Sequence, residues 1–160
     1  MSDNVPNPFN ADLSEEVRVA VIRAEWNDKI TSKLTESAVK TLKKHGVASD
    51  NISIFNIPGA IELTYAASQA IECGQFDAVI VFGCVIRGGT PHFDYVCQSV
   101  TQGITHLNAE CDIPVIFGVL TVDNEQQALE RIGGIHGDKG AEAADAALKM
   151  IDFRLKISEL

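Results

Sequence analysis

Four runs of apolar residues alternate along the chain with longer stretches whose apolar residues recur every three or four positions. The runs cover residues 17–22, 51–57, 77–86 and 113–120. Runs that are apolar on nearly every residue are typical of strands buried on both faces, and such strands belong to parallel sheets. The pattern therefore predicts four parallel strands.

Helices are predicted between and after these strands. The clearest one follows Thr90, where Val96, Val100, Ile104 and Leu107 form one apolar stripe at helical spacing. The other helices are expected at about residues 28–45, 60–73, 125–131 and 141–153. Between the last two, the segment IGGIHGDKG is expected to break the chain.

Strands that alternate with helices predict an α/β domain with right-handed crossovers. We expect a flavodoxin-like three-layer αβα fold, with a four-stranded parallel sheet and helices on both faces. The length of 160 residues fits one domain, which we assign to residues 16–160. Hydrophobic residues make up 46% and aromatic residues only 6%, which favours close packing of helices on the sheet.

The two ends of the chain are expected to behave differently from the domain. Residues 1–15 contain two prolines, three asparagines and one aromatic residue, Phe9. We predict an extended N-terminal arm that orders when it meets a neighbour and can add a strand to that neighbour's sheet. Residues 154–160 are expected to be frayed or to depend on a partner.

Charge and cysteine content limit the partners. The net charge of −9 argues against nucleic acid or an anionic membrane as a main partner, although a phosphate can still bind locally. The beginning of the chain shows no charged-then-apolar signal, and no apolar run is long enough to span a bilayer. Cys73, Cys84, Cys97 and Cys111 are too widely spaced for a CxxC motif, so we expect reduced thiols, no metal site and a cytoplasmic location.

The most informative stretch covers residues 83–103. The third strand breaks at Arg87-Gly88-Gly89, and a helix is expected to open at Thr90-Pro91, a favourable N-cap followed by a favourable first residue. Glycines allow a close approach of a ligand to the backbone, and the free N–H groups at a helix start favour a phosphate.

His92 follows in the first turn of this helix. The positive helix end should favour a neutral imidazole, which can accept a proton. Together these features indicate chemistry on a small phosphorylated molecule. An ordinary capped turn with a surface histidine is the alternative.

Other polar or aromatic residues follow the remaining strands. In a doubly wound sheet ligands bind outside the carboxyl ends of the strands, where Trp26, Asn27, Gly59, Ala60 and Glu62 are expected. Each has a structural alternative: Trp26 as core packing, Asn27 as a helix cap, and Glu62 as a carboxylate favoured by a helix start.

Three segments resemble the 6,7-dimethyl-8-ribityllumazine synthase family: PGAIEL at 58–63, GCVIRGGTPHFDYV at 83–96 and PVIFGVLT at 114–121. The resemblance extends over about residues 16–153. It implies a transferase that catalyses the penultimate step of riboflavin biosynthesis. Such an enzyme condenses 5-amino-6-(D-ribitylamino)uracil with 3,4-dihydroxy-2-butanone 4-phosphate and releases phosphate and water, without a cofactor or a metal.

The resemblance also implies a role for each candidate residue. His92 would transfer protons, and Lys139 would lie near a subunit interface. The residues implied to bind phosphate are Gly89, Thr90 and Arg131. The residues implied to bind the ribitylaminouracil are Trp26, Asn27, Gly59, Ala60, Glu62, Val85, Ile86 and Phe117. Phe117 and Arg131 would come from the adjacent subunit.

The implied assembly is a homo-oligomer, either a pentamer or a 60-subunit icosahedral shell, with active sites between adjacent subunits. The bend after Arg131 carries no inserted residues, as in the shell-forming members. Riboflavin synthase is a candidate partner. The chain departs from the family at Ile61 and Thr64, where Phe and Pro are frequent and neither offers a reacting group, and at Gly89, where Ala is frequent, a small change for a backbone donor.

Two alternatives remain. A riboflavin synthase of the archaeal type would need no phosphate cradle, so Gly89, Thr90 and Arg131 count against it. A non-catalytic flavin-binding or shell-forming homologue would keep the fold and lose turnover. The presence of His92 together with Arg131 counts against that alternative.

Overall fold

A computed structural model describes residues 5–10, 13 and 16–160. Four parallel strands form its central sheet in the order β2-β1-β3-β4, which confirms the predicted sheet. The strands are β1 Val19–Ala24, β2 Ile52–Ile57, β3 Ala78–Ile86 and β4 Val115–Val122. The chain moves outward from β1 to β2 and then returns to β3 on the other side of β1, so the switch point of the sheet lies between β1 and β3.

Helices cover both faces of the sheet, as the alternating pattern predicts. The α-helices are α1 Asp28–Lys44, α2 Leu63–Glu72, α3 His92–Glu110, α4 Glu125–Leu129 and α5 Lys139–Ser158. Two short 3₁₀ helices, Ser49–Asn51 and Ala60–Glu62, precede β2 and α2. The second of these replaces the first turn of the helix predicted from residue 60.

The core is divided by the sheet into two clusters of buried residues. Ile80 and Phe82 face α1 and α5, whereas Val79 and Val81 face α2 and α3. All four are fully buried because β3 is a central strand and successive side chains point to opposite faces. This burial on both faces explains why the strand is apolar on nearly every residue.

The structure corrects two expectations for the C-terminal part: fraying of residues 154–158 is wrong, while their dependence on a partner stays a prediction. Residues 154–158 are not frayed: α5 continues to Ser158, and Lys156 pairs with Asp152 one turn earlier at 2.7 Å. The segment IGGIHGDKG is more than a break, because Ile132–Gly134 and Gly137–Asp138 form a short antiparallel hairpin, β5 and β6. Gly133 and Gly137 adopt positive φ angles of 101° and 83° there, which suit glycine and give no periodic signal in the sequence.

The predicted N-terminal arm lies partly outside the described residues, which leave out 1–4, 11–12 and 14–15. Within the described part, Phe9 is buried and meets the His45 ring edge-on at 5.5 Å between centroids. Its backbone N–H donates to Asp145 of α5 at 3.4 Å. Phe9 therefore packs on its own chain, and a strand added to a neighbour's sheet stays a prediction.

None of the described helices is long and apolar enough to cross a membrane.

Gly140, in the first turn of α5, brings that helix against α1. A Cβ atom at this position would lie 2.3 Å from the backbone oxygen of Leu34. Since a backbone atom cannot rotate away, a side chain here would force the two helices apart.

We therefore expect Gly140→Ala to destabilise the protein by about 1–3 kcal/mol, a fall of roughly 3–10 °C in melting temperature. Thermal unfolding followed by circular dichroism at fixed protein concentration would measure this. Gly88→Ala is the control, because a Cβ at Gly88 has no neighbour within 4 Å. An unchanged or raised melting temperature for Gly140→Ala would contradict the steric argument, since alanine is intrinsically the better helix former.

Candidate active site

A cleft of about 350 Å³ opens at the carboxyl ends of the strands, at the switch point between β1 and β3. Eight of the predicted site residues line it: Trp26, Asn27, Gly59, Ala60, Glu62, Val85, Ile86 and His92. They lie at or just after the carboxyl ends of three different strands, which explains why residues separated by more than sixty positions meet in one place.

The strand register creates this cleft. Pairing between β1 and β3 ends at Arg23 and Phe82, whereas pairing between β3 and β4 continues to Ile86 and Val122. The last four residues of β3 are therefore held by β4 on one side only. Their backbone groups on the β1 side are available to the cleft or to a capping side chain.

Asn27 takes one of these backbone groups. Its Nδ2 donates to the Cys84 carbonyl oxygen at 2.7 Å and so joins the end of β1 to the unpaired edge of β3. Asn27 is the only non-glycine among the described residues with positive φ, at 60°, a conformation that asparagine tolerates. It stands at the N-cap position of α1, but its side chain makes no capping hydrogen bond. The cap alternative is therefore right about the position and wrong about the interaction.

Trp26 is 74% exposed, so the core-packing alternative is wrong. Its backbone N–H donates to the Pro58 carbonyl oxygen at 3.2 Å, which holds the residue against the β2–α2 turn. The exposed indole ring offers a flat apolar surface at the mouth of the cleft.

Gly59 allows Trp26 and Glu62 to converge. A Cβ atom there would lie 3.1 Å from Cδ1 of Trp26 and 3.2 Å from Oε2 of Glu62. The absent side chain thus leaves room for both groups at one wall of the cleft. Glu62 ends the 3₁₀ turn just before α2, and its carboxylate is exposed.

His92 is the first residue of α3, so the helix begins slightly later than predicted. Thr90 nevertheless accepts a long hydrogen bond, 3.5 Å, from the His92 backbone N–H to its Oγ1. Gly88, Gly89, Thr90, Pro91 and His92 are all exposed. We refer to residues 88–91 as the α3 turn.

Five predicted site residues do not line the cleft. Gly89 and Thr90 lie in the α3 turn beside it. Phe117 is 42% exposed in the middle of β4, an edge strand. Arg131 donates from Nη1 to the Gln127 carbonyl oxygen at 2.6 Å, and Lys139 pairs with Glu142 at 2.8 Å. A single chain does not bring these last three residues to the cleft.

Arg87 is a residue of this region that sequence reasoning passed over. Its Nε donates to Asp123 at 2.9 Å, its Nη1 lies 3.4 Å from Asp94, and its guanidinium carbon lies 4.2 Å from the centroid of the Phe93 ring. The hydrogen bond to Asp123 raises the pKa of Arg87, and the charge of Asp94 also contributes. No pattern in the sequence links Arg87 to a residue 36 positions away.

Cys84 has two separate environments. Its carbonyl oxygen serves the cleft, whereas its side chain belongs to the cluster under α1 and α5. Burial raises the pKa of the thiol to about 11, and the charge of Glu125 adds to the shift, so the thiol stays protonated at neutral pH. All four cysteines are free. Within the described ranges, no group of three or more His, Cys, Asp or Glu side chains is arranged to hold a metal ion.

The strand order and the cleft at its switch point define a flavodoxin-like α/β protein. Residues 16–154 match the family model described as 6,7-dimethyl-8-ribityllumazine synthase. The chain belongs to this family.

Several relatives carry the same name, 6,7-dimethyl-8-ribityllumazine synthase. The protein from Phocaeicola vulgatus is 50% identical over 157 residues, which cover 98% of this chain and 90% of the relative. The protein from Parabacteroides distasonis is 54% identical over 140 residues, 88% of each chain. The protein from Porphyromonas gingivalis is 55% identical over 136 residues, which cover 85% of this chain and 84% of the relative.

Substitutions of Asn27 test the link between β1 and β3. Asn27→Ala loses the hydrogen bond to Cys84 and places alanine at positive φ, so we expect a loss of about 2–3 kcal/mol. Asn27→Gly loses the hydrogen bond but accepts the backbone conformation, and we expect about 1 kcal/mol. Chemical denaturation of both variants at one protein concentration would measure the difference. Equal losses would show that the left-handed backbone carries no strain.

Proposed function

We propose that this protein condenses 5-amino-6-(D-ribitylamino)uracil with 3,4-dihydroxy-2-butanone 4-phosphate to 6,7-dimethyl-8-ribityllumazine, with release of phosphate and water. It is a transferase of the penultimate step of riboflavin biosynthesis and uses no cofactor. The observation that carries this proposal is one cleft in which an exposed indole ring, the edge of a strand and an imidazole beside a glycine turn converge, in a member of this family.

The ribitylaminouracil lies in the cleft with its ring on Trp26. Asn27 uses one N–H of its Nδ2 on Cys84, so its second N–H and its carbonyl oxygen remain to form hydrogen bonds with the substrate. The unpaired backbone edge at Val85 and Ile86 supplies further donors and acceptors. Gly59, Ala60 and Glu62 form the opposite wall, where the carboxylate can accept from the ribityl hydroxyl groups. Phe117 of the adjacent subunit covers the ring.

The phosphate of the second substrate binds at the α3 turn, to backbone groups of Gly89 and to Thr90. Free N–H groups at the start of the 19-residue helix α3 favour an anion there. Arg131 from the adjacent subunit completes the charge balance. Its guanidinium is anchored through Gln127 and therefore presents a defined geometry.

The reaction requires orientation and proton transfer. The amine of the uracil attacks the ketone, and loss of water forms a Schiff base. Elimination of phosphate, rearrangement, ring closure and a second loss of water follow. Holding the two substrates together lowers the barrier by several kcal/mol, roughly 7–11 in the best cases. His92 moves protons at the reacting carbons, which contributes about 10²–10⁴-fold.

A homo-oligomer completes the site. Phe117 and Arg131 lie away from the cleft of their own chain. Phe117 is 42% exposed, although aromatic side chains in strands are usually buried. A second groove beside the cleft, of about 570 Å³, is lined by apolar residues of β2 and α2, among them Phe55, which is 45% exposed. Exposed apolar surface of this kind favours contact with another subunit.

The oligomer is a pentamer or a 60-subunit icosahedral shell of such pentamers, with Lys139 near the interface. The protein works in the cytoplasm, and riboflavin synthase, which consumes the product, is its proposed partner. The domain is assigned to residues 16–160, and a strand that the preceding residues add to a neighbouring subunit's sheet stays a prediction.

The proposed reaction predicts a lumazine chromophore that forms only when both substrates are present. Absorbance of the purified protein mixed with each substrate alone and with both would measure this.

We expect His92→Ala to lower kcat by about 10²–10⁴-fold without abolishing turnover. His106→Ala, on the far part of α3, is the control. If His92→Ala turned over as fast as the wild type at every pH, His92 would have no part in the mechanism. If the wild-type protein formed no lumazine colour, the non-catalytic flavin-binding or shell-forming alternative would be favoured.

Arg131→Ala should act on one substrate. Because the guanidinium is assigned to the phosphate, we expect KM for the butanone phosphate to rise about tenfold or more, with KM for the uracil nearly unchanged. Steady-state kinetics with each substrate varied in turn would measure both constants. Arg18→Ala serves as the control, because Arg18 lies just before β1, at the amino ends of the strands and away from the cleft. An equal rise in both KM values would contradict the phosphate assignment.

A further inference from the structure

We propose that Arg87 is a positioning residue, which fixes the α3 turn by joining its two ends to each other and to the end of β4. This inference rests on the proposed function, because it concerns the turn to which the phosphate group is assigned. Arg87 does not touch the cleft, and its role is exerted through the turn.

The α3 turn has little packing of its own. All its residues are exposed, and a Cβ atom at Gly88 or Gly89 would meet nothing within 4 Å. Two glycines also give the backbone more freedom than any other residues would. A turn of this composition needs an external constraint if its N–H groups are to keep one geometry.

Arg87 supplies that constraint from the N-terminal end of the turn. Its backbone N–H donates to the Val122 carbonyl oxygen at 2.9 Å, which continues the pairing of β3 with β4. Its side chain then reaches over the turn to the first helical turn of α3. There Nη1 lies 3.4 Å from Asp94, and the guanidinium stacks on Phe93 at 4.2 Å. The two ends of the α3 turn are thus connected by one side chain.

Asp123 connects Arg87 to the junction of β4 and α4. It accepts from Nε of Arg87 at 2.9 Å, and its own backbone N–H donates to the Gln127 side chain at 2.8 Å. The side chain of Asn124 accepts from the Gln127 backbone N–H at 3.0 Å and caps α4. Arg87 therefore holds the α3 turn in a fixed position relative to the junction of β4 and α4.

The contacts explain why arginine is required there. A planar guanidinium can donate in two directions and stack on a ring at the same time, whereas a lysine ammonium is a point charge on a flexible stem. Two carboxylates face the single cation, so its charge is already balanced within the chain. Arg87 therefore orients the α3 turn and does not itself attract the substrate's phosphate. That attraction comes from the start of α3 and from Arg131.

Kinetics of Arg87→Gln and Arg87→Lys, with each substrate varied, test the proposal. For both variants we expect KM for the butanone phosphate to rise about tenfold, KM for the ribitylaminouracil to stay within about twofold, and the melting temperature to stay near that of the wild type. The inhibition constant of inorganic phosphate should rise by the same factor as KM for the butanone phosphate. Arg154→Gln is the matched control, because Arg154 is similarly exposed and pairs with Asp77 at the opposite end of β3.

Three results would overturn the proposal: Arg87→Gln with wild-type constants, equal changes in both KM values, or full recovery with Arg87→Lys, which would show that charge alone suffices. If the Arg87 variants do not fold, Asp94→Asn removes the ion pair between Arg87 and α3 and leaves the stack on Phe93. We then expect the same phosphate-specific change at about two- to fivefold, and unchanged constants would refute the proposal. If the wild-type protein did not catalyse the reaction, the proposed function would be refuted. If the wild type catalysed it and the Arg87 variants had unchanged constants, only this inference would be refuted.

Discussion

The register of β3 against its two neighbours is the constraint on which the site depends. The strand continues along β4 for four residues after β1 has ended, so its last residues present one unpaired edge at the switch point of the sheet. An unpaired buried backbone group is costly, and Asn27 satisfies one of them by bonding to the Cys84 carbonyl oxygen. The neighbouring residue, Trp26, is held by the hydrogen bond from its backbone N–H to the Pro58 carbonyl oxygen, and its exposed indole lines the cleft.

The electrostatics of this end of the sheet are local and do not follow the net charge of −9. The exposed groups at the α3 turn are backbone N–H groups and an imidazole, while the nearby Asp94 and Asp123 are paired with Arg87. Pairing removes these carboxylates as a source of repulsion, so an anion can approach the helix start in an otherwise acidic protein. Since charges more than about 10 Å apart are largely screened at ordinary salt, the neighbours of the turn matter more than the total.

Close helix packing supports the rest of the domain. Gly140 brings α5 onto the backbone of α1, and Gly103 brings α3 onto Thr64 of α2. These contacts keep both helical layers near the sheet, and they suit a chain that has many alanines and few aromatic residues. Three aromatic side chains remain exposed on the single chain: Phe55, Tyr65 and Phe117. The proposed oligomer would cover this surface.

The amino-acid sequence by itself determined the four parallel strands and the helical layers on both faces, because burial on both sides of a sheet leaves continuous apolar runs. Six of the eight predicted residues that line the cleft follow from their positions after the strand ends, whereas Val85 and Ile86 were implied by the resemblance to the family. Only the tertiary structure decided that Trp26 is exposed, that Asn27 bonds to Cys84 and does not cap its helix, and that Arg87 joins Asp94 to Asp123. It also decided the β5–β6 hairpin and the extension of α5 to Ser158. Periodicity reports which face of an element is buried, but these contacts join residues distant in the chain or depend on positive φ angles, and neither leaves a repeating pattern in the sequence.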